Sequence, residues 1–441
     1  MNNTPIRDFA ARYAESGAAR LHMPGHKGRG PLGFESLDLT EIHGADALYE
    51  AEGIIRESEA NATALFETQR TFYSTEGSSQ CIRAMLHLAL ANARPGARPV
   101  ALAGRNAHRA FLTAAALCGF DVEWLWPESD TGSVCACPIT AEGLRRALDG
   151  MKDLPFCVYV TSPDYLGGQL DIAALAQVCH SREIPLLVDN AHGAYLKFLP
   201  EPAHPMELGA DMCCDSAHKT LPVLTGGAYL HISQTADPAY AAGAKRSLAL
   251  FGSTSPSYLI LQSLDCANAA LAGDLPARLA ECRSRLDALK SALTARGFAV
   301  LPSDPLKFTL RADGLRTAQR LRERGVECEF ADAGHIVFMF SPANPPEDCA
   351  RLERALGDPI PCESSGEPLP PPPRAMTIRQ AMFAPSETIP VERAEGRVCA
   401  APTAACPPAV AVAVSGERIT PEVVRILKRN GIHEIAVVQE T

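Results

Sequence analysis

The chain has 441 residues, of which 46% are hydrophobic and 21% are charged, and its formal net charge is −10. This length allows two or three domains with a sizeable core. The negative charge argues against a nucleic acid or an anionic membrane as the partner. No run of about 18 apolar residues and no apolar signal segment is visible, so we predict neither a membrane span nor secretion. The 15 cysteines show no disulfide spacing, which favours a reducing, cytoplasmic location.

Short apolar runs alternate with helical patterns from about residue 70 to residue 235. The runs typical of strands lie at 99–104, 121–126, 156–163, 185–193, 211–219 and 226–233, and helical patterns lie at 107–119, 140–150 and 171–183. This alternation predicts an α/β fold with a mostly parallel sheet that is flanked by helices. Ligands of such sheets bind at the carboxyl ends of the strands. Polar residues cluster at these predicted ends: Ser162, Asp189, His192, Ser216, His218 and Lys219.

The second half of the chain has a different organisation. A long helical pattern covers about 257–297 and ends at Gly297, and the strands and helices after it predict a small α+β domain. Proline-rich residues 366–375 predict a stiff linker before a carboxy-terminal domain. The predicted segments are therefore an amino-terminal segment (1–60), a large domain (61–256), a linking helix with the small domain (257–365), the linker (366–375) and the carboxy-terminal domain (376–441).

Three lysines lie in motifs that invite a chemical interpretation: Lys27 in HMPGHKGRG, Lys197 in AYLKF and Lys219 in DSAHKTLP. Lys27 precedes glycines but lacks the pattern of a P-loop. Lys197 has ordinary neighbours, which indicate a position at the surface. Lys219 follows a predicted strand end, 30 residues after Asp189. This arrangement suits pyridoxal phosphate, because a lysine amine forms a Schiff base with the aldehyde and a carboxylate keeps the pyridine nitrogen protonated.

Each of these residues also has a simpler interpretation. Asp189 taken alone is more often a helix cap than a partner of a cofactor. His108 is either an aromatic platform over the cofactor ring or a solvated loop residue. His192 and His218 either move protons or are tied to backbone carbonyls. We predict no metal site, because the lone C-x-C of residues 135–137 lacks a second pair of ligands.

A phosphate site is predicted before an amphipathic helix. Gly77, Ser78 and Ser79 precede an apolar stripe that consists of Ile82, Met85, Leu86 and Ala89. Backbone N–H groups at a helix start, together with two hydroxyl groups, bind a phosphate dianion well. The serines are equally suited to capping the helix, and the two roles are compatible.

An ordered set of motifs resembles one known family. The motifs are HMPGHKGRGPLG, LDLTEIHGADALY, TFYSTEGSS, NAHRAF, TSPDYLGGQLDI, VDNAHGAYLKF, DSAHKTLPVLTGGAYLH, STSPSYLILQSLD and FAPSETIPVERAEGRV. In this order they resemble the ornithine/lysine/arginine decarboxylase family, which has the fold-type-I, aspartate-aminotransferase-like architecture. The resemblance covers nearly the whole chain. It implies that the cofactor is pyridoxal phosphate.

The resemblance also implies a role for each site residue. Lys219 would carry the Schiff base, Asp189 would pair with the pyridinium nitrogen, His108 would stack on the ring and His192 would lie at its edge. The phosphate would be surrounded by Gly77, Ser78, Ser79, Ser216 and His218, with Ser162 as a further cofactor contact. The family's active site lies at a dimer interface, so Ser253 or Thr254 would reach the phosphate of the neighbouring subunit. The segment 1–60 would contribute to the dimer and to the active-site entrance.

The sequence departs from the family pattern at several positions. Asn190 stands where glutamate is common, Arg109 stands where lysine is usual, and residues 406–417 replace a more typical run. These departures leave the substrate open. A cationic substrate side chain would need a carboxylate, and the candidates are Glu41, Asp46, Glu52 and Glu387.

The predicted reaction is α-decarboxylation of arginine, lysine or ornithine, in polyamine biosynthesis. His218 or Lys219 would return a proton to the α-carbon. An aminotransferase or a lyase on the same fold is the alternative, because a fold does not fix a reaction. An aminotransferase needs an arginine for the α-carboxylate, and Arg311 and Arg322 lie in no recognisable motif for it. A third hypothesis is a non-catalytic homologue that regulates a paralogue, but the retained lysine, aspartate and phosphate residues argue against it.

Overall fold

The protein is described by a computed structural model that covers residues 3–93, 99–129, 131–362, 369–403 and 409–440. The predicted linker at 366–375 and the divergent run at 406–417 begin outside the described residues. The chain forms two compact units, which comprise residues 1–94 with 185–280 and residues 95–184 with 281–441. This division cuts the chain differently from the five predicted segments, whose boundaries stay predictions.

Strands and helices mostly alternate from residue 54 to residue 249. The strands are β1 (Arg70–Ser74), β2 (Val100–Gly104), β3 (Asp121–Leu125), β4 (Cys157–Thr161), β5 (Leu186–Asp189), β6 (Met212–Asp215), β7 (Ala228–Ile232), β8 (Ala299–Leu301), β9 (Lys307–Arg311), β10 (Phe330–Ala331), β11 (His335–Met339), β12 (Ser386–Pro390) and β13 (Glu434–Val438). The helices are α1 (Pro5–Glu15), α2 (Ile54–Phe66), α3 (Gly77–Ala91), α4 (Arg109–Cys118), α5 (Ala141–Gly150), α6 (Ile172–His180), α7 (Ala217–Thr220), α8 (Pro238–Ala249), α9 (Tyr258–Ala272), α10 (Leu275–Ala295), α11 (Gly314–Glu323), α12 (Pro346–Leu356), α13 (Ile378–Phe383) and α14 (Pro421–Arg429). Within the described residues, no helix is both long enough and apolar enough to cross a membrane.

The strands form three sheets. The largest has seven strands in the order β1-β7-β6-β5-β4-β2-β3, the second has the order β10-β11-β9-β8, and the third pairs β12 with β13. In the large sheet β5 and β6 are parallel, as are β2 with β3 and β2 with β4, whereas β7 is antiparallel to both of its neighbours. The second sheet is antiparallel. The predicted α/β fold with an additional small α+β region is confirmed.

The long helix predicted over 257–297 is wrong in one respect, because two helices occupy this stretch. Helix α9 ends at Ala272, and Gly273 follows it with a backbone ψ of −123°, which is not helical. Pro276 lacks an N–H group and fits only in the first turn of the next helix, α10. The apolar periodicity continues across this break, so the pattern alone does not reveal it.

A buried ion pair in the second unit connects the end of β2 to the carboxy-terminal region. Arg105 lies 3.2 Å from Glu417, and both side chains are less than a tenth exposed. The Arg105 guanidinium also donates to the backbone oxygens of Ala411 and Val412 at 2.8 and 3.1 Å. Because removing one partner leaves a buried charge unpaired, the loss of either side chain would cost about 3–5 kcal/mol of stability.

The buried carboxyl group of Asp164 predicts a pH-dependent stability. It accepts N–H bonds from Leu166 and Gly168, both at 2.9 Å, but its burial raises the pKa to about 6. The folded chain therefore binds more protons than the unfolded chain between pH 4 and 6, so stability falls as the pH rises through this range. The full change in the free energy of unfolding is about 3 kcal/mol.

Urea unfolding of the wild type and of Asp164→Asn from pH 4 to pH 7 tests this expectation. Asparagine keeps an acceptor oxygen but cannot ionise. The stability of the wild type relative to the variant should therefore decline with rising pH. A stability difference between the two proteins that stays constant across this pH range would contradict the expectation.

Candidate active site

Lys219 lies directly beyond the carboxyl end of β6. Asp215 is the last residue of this strand, and the short helix α7 carries Lys219 one turn further. The Lys219 side chain is half-buried, and its Nζ lies 3.0 Å from Nε2 of His192. The turn after β5 carries His192. Two residues predicted separately from the sequence are thus in direct contact.

Asp189 is the last residue of β5, the parallel neighbour of β6, and it pairs in register with Cys214. Its side chain is 2% exposed. Its Oδ1 accepts the N–H group of Ala191 at 3.2 Å and faces the Cys214 thiol at 3.8 Å. Because β5 and β6 are parallel, Asp189 at the end of β5 and Lys219 beyond the end of β6 lie at the same edge of the sheet.

The predicted phosphate loop precedes and begins helix α3. The hydroxyl of Ser216 donates to that of Ser78 at 2.7 Å, which brings the Lys219 segment against the start of the helix. Gly77 has a positive φ of +71°, and its N–H group donates to the oxygen of Gly226 at 2.7 Å. Among the described residues, no backbone carbonyl accepts the N–H groups of Ser78 or Ser79. These two N–H groups are therefore placed to receive an anion.

Gly226 permits the close packing of the loop after α7 on this site. Its φ is +99°, and a Cβ at this position would lie 2.8 Å from the backbone oxygen of Thr75. A larger residue would displace the segment before the phosphate loop. His218 is fixed by the same glycine-rich turn, because its Nδ1 lies 3.0 Å from the oxygen of Gly227. Burial lowers the pKa of His218, so its neutral form is favoured.

His108 and Ser162 belong to the second unit, in which each has a local role. His108 caps helix α4, since its Nδ1 accepts the N–H group of Ala110 at 3.1 Å. The hydroxyl of Ser162 accepts the N–H group of Leu170 at 3.0 Å. The stacking of His108 and the cofactor contact of Ser162 stay predictions.

Ser253 and Thr254 are exposed in the segment between α8 and α9. The N–H group of Ser253 donates to the carboxylate of Glu76, which directly precedes the phosphate loop of the same chain. This contact ties the segment to the loop. The contact of Ser253 or Thr254 with a neighbouring subunit's phosphate stays a prediction.

Three of the four candidate carboxylates for a substrate cation already have protein partners, and that of Glu41 is the hydroxyl of Thr40. Asp46 accepts the N–H groups of Glu52 and Gly53 at 3.0 and 2.8 Å, near the start of helix α2. These and further backbone hydrogen bonds outweigh burial and lower the pKa of Asp46. Glu387 lies 2.7 Å from Arg397. Asp46 therefore fixes the backbone before α2.

Sequence reasoning missed a polar cluster beside this site. Asp215 lies within hydrogen-bond distance of His204, His231 and Asn190, and all four side chains are fully buried. The only sequence signal is the alternation in β6, which places Asp215 on the same face as Cys213. The histidines come from β7 and from a loop, so their proximity depends on the strand register.

Comparison with known proteins identifies the family. Residues 4–309 match the sequence model of the Orn/Lys/Arg decarboxylase major domain. The chain belongs to the Orn/Lys/Arg decarboxylase family. It is accordingly an enzyme of the pyridoxal-phosphate-dependent decarboxylase class, as predicted from its motifs.

Relatives and solved structures agree with this family. The chain is 29% identical to an arginine decarboxylase of Bacillus subtilis (strain 168), over 97% of this chain and 94% of the relative. It is also 29% identical to an arginine decarboxylase of Halalkalibacterium halodurans, over 97% of this chain and 93% of the relative. The constitutive lysine decarboxylase of E. coli superposes with a TM-score of 0.79 at 18% identity, covering 99% of this chain and 82% of that one. A Francisella novicida lysine decarboxylase superposes with a TM-score of 0.81 at 17% identity, covering 99% of this chain and 81% of that one. The two structures confirm the fold.

The residues of the first unit fit the cofactor of this family. The N–H groups at the start of α3 and the hydroxyls of Ser78 and Ser216 suit a phosphate group. The amine of Lys219 and the buried carboxyl group of Asp189 follow adjacent strand ends. The chemistry of this donor set is therefore that expected around pyridoxal phosphate.

Proposed function

We propose that the protein releases CO2 from the α-carbon of a basic amino acid, with pyridoxal phosphate attached to Lys219. The supporting observation is the position of Lys219, which lies one turn beyond β6, next to the Asp189 strand and to the Ser78–Ser216 pair. When bound, the cofactor supplies an aldehyde for the lysine amine and a pyridine ring that takes up the electrons of the broken bond.

The proposal assigns the remaining roles to side chains of the protein. Ser78, Ser216 and the first turn of α3 would hold the phosphate. The buried carboxyl group of Asp189 would keep the pyridine nitrogen protonated. The amine of Lys219, which contacts His192, would return a proton to the α-carbon. His218 is anchored by its Nδ1 and supports the loop that carries Lys219.

The substrate and the cellular role are part of the same proposal. Arginine is the first choice among arginine, lysine and ornithine, because relatives of nearly full length are named arginine decarboxylase. The amine product would enter polyamine biosynthesis in the cytoplasm. We further propose a homodimer with shared active sites, in which Ser253 or Thr254 reaches the partner's phosphate.

The test is CO2 release by the purified protein with pyridoxal phosphate and each of the three amino acids, with identification of the product by mass spectrometry. We expect one amine to dominate, with the matching release of CO2. If none of the substrates releases CO2 although the absorbance of the cofactor–lysine linkage is present, the proposal is wrong. Formation of a keto acid from the substrate would instead support the aminotransferase alternative.

A further inference from the structure

A buried hydrogen-bond network lies between the ends of β5 and β6. Oδ2 of Asp215 lies 3.0 Å from Nε2 of His204 and 3.1 Å from Nε2 of His231. Oδ1 of the same carboxylate accepts the side-chain amide of Asn190 at 2.6 Å. All four side chains are 0% exposed. A buried polar group is costly unless it is paired, so each member of this network depends on the others.

The direction of each hydrogen bond can be assigned. The N–H group of Met206 points at Nδ1 of His204 at 3.4 Å, so the proton of this ring lies on Nε2 and is donated to Asp215. Nδ1 of His231 lies 2.9 Å from the hydroxyl of Thr71, and its Nε2 faces the same carboxylate oxygen of Asp215. Burial opposes the charge of Asp215, but the two histidines outweigh it and hold its pKa well below the usual range. The carboxylate is therefore ionised, with three donors around it.

The same residues have the composition of a metal site. One ligand atom each of His204, Cys213, Asp215 and His231 lies within 4.8 Å of the others. A metal would need the lone pair of Nε2 of His204, which the Met206 contact assigns to a proton. Burial also raises the pKa of the Cys213 thiol well above its usual value, which disfavours a thiolate in the absence of an ion. The hydrogen bonds thus explain the cluster without a metal.

The network connects both segments that carry the catalytic groups. Asn190 directly follows Asp189, and its backbone N–H group donates to the oxygen of Cys214 at 3.0 Å. The oxygen of Asn190 accepts the N–H group of Gly193 at 2.8 Å, which closes the turn that contains His192. On the other strand, Asp215 directly precedes Ser216. One buried carboxylate therefore fixes the turn after β5 relative to the start of the Lys219 segment.

We propose that Asp215, held by His204 and His231, is a positioning residue that sets Asp189 and His192 relative to Lys219 through its hydrogen bond to Asn190. The inference rests on the proposed function, because it concerns the same site. It also accounts for a departure noted in the sequence. Where the family commonly has glutamate, this chain has an amide, and the carboxylate stands on the neighbouring strand.

The first test removes the bond with Asn190→Ala. Three quantities are measured: kcat, the affinity for pyridoxal phosphate, and the pH midpoint of the absorbance change of the cofactor–lysine linkage. We expect kcat to fall by about tenfold or more, since small misplacements of catalytic groups are costly. The pH midpoint should move by a measurable fraction of a unit, because it reports the surroundings of the Lys219 nitrogen. A midpoint and a kcat equal to those of the wild type would overturn the proposal.

Asn268→Ala is the matched control. Asn268 is also a buried asparagine of the first unit, and its side-chain amide donates to the hydroxyl of Tyr73 at 2.6 Å. It belongs to no part of the network. Its loss should lower the melting temperature to a similar extent but leave the pH midpoint in place. An equal midpoint shift in both variants would show a general effect of destabilisation and would overturn the proposal.

The second test exchanges the two partners. Asn190→Asp alone brings two carboxylates together, and we expect it to lower the melting temperature and the cofactor affinity. Adding Asp215→Asn restores an amide-to-carboxylate bond in the reversed direction, while the new amide oxygen still accepts from both histidines. The double variant should recover most of the loss in cofactor affinity. If the cofactor affinity of the double variant does not recover, positioning through this bond is wrong. The affinity of the double variant can be measured even if Asn190→Ala fails to fold.

Metal analysis of the purified wild type distinguishes the hydrogen-bond network from a metal site. We expect less than a tenth of an equivalent of zinc or other transition metal per chain. A stoichiometric metal that disappears in His231→Gln would overturn the proposal and assign the cluster as a metal site. Failure of the proposed function is seen separately, because it would appear in the wild type as missing CO2 release, whereas failure of this inference appears in the variants or as a bound metal.

Discussion

Replacing Lys219 with alanine is expected to abolish decarboxylation, with a loss of roughly 10³-fold or more in kcat. Lys219 is the amine at the end of β6 that contacts His192, and it is the side chain proposed to attach the cofactor and to return the proton. Without it, the cofactor is held by its phosphate contacts alone, and the visible absorbance of the linkage disappears. Stopped and continuous CO2 assays, together with absorbance spectra of the purified variant, measure both effects.

Lys197→Ala is the matched control for this experiment. Lys197 is also a lysine of the first unit, but it is paired with Glu67 and Glu207 at 2.5 and 2.6 Å. Its loss should leave the absorbance and the turnover intact. Circular dichroism and melting curves establish that the Lys219 variant remains folded. Normal turnover by the Lys219 variant would remove the basis of the proposed mechanism.

Asp189→Asn should retain the cofactor but lose roughly 100-fold or more in kcat. Asparagine has almost the same shape, so the contacts with Ala191 and Cys214 have a substitute acceptor. A neutral amide, however, cannot hold a proton on the pyridine nitrogen by charge. The ring then takes up electrons poorly, while the phosphate contacts are unchanged. Equilibrium titration with pyridoxal phosphate and steady-state kinetics separate binding from turnover.

Asp237→Asn serves as the comparison. Asp237 is an exposed aspartate that caps helix α8 by accepting the N–H group of Ala239 at 2.9 Å, and asparagine caps helices equally well. Its substitution should change neither cofactor binding nor turnover. Near-normal turnover by Asp189→Asn would show that a different group holds the pyridine nitrogen.

The sequence predicted those parts of the molecule that depend on local patterns. Apolar runs with helices between them identified strands β2 to β7 of the large sheet, whereas the anion site at the glycine and serines before α3 stays a prediction. Lys219 and Asp189 were predicted as site residues because they lie at or shortly after strand ends, and their roles stay predictions. The break at Gly273 was missed because the apolar stripe of α9 continues in phase into α10.

The contacts between distant segments could not be predicted in this way. Cys213 faces His231 only because β6 and β7 pair in one particular register. His204 reaches Asp215 from a loop that has no periodic pattern. The contact of His192 with Lys219 likewise depends on the turn after β5, whose shape is set by hydrogen bonds from Asn190 rather than by residue types.

The ion pair between Arg105 and Glu417 limits how the chain can be shortened. Val410 forms a β-bridge with His108, and the neighbouring oxygens of Ala411 and Val412 accept hydrogen bonds from Arg105. A truncation before residue 376 would remove the counter-charge and both backbone acceptors of this guanidinium, which lies over the rings of Trp124 and Trp126. The last 66 residues are thus no detachable module, and expression of a shortened catalytic fragment would yield a protein with a damaged interior beside His108.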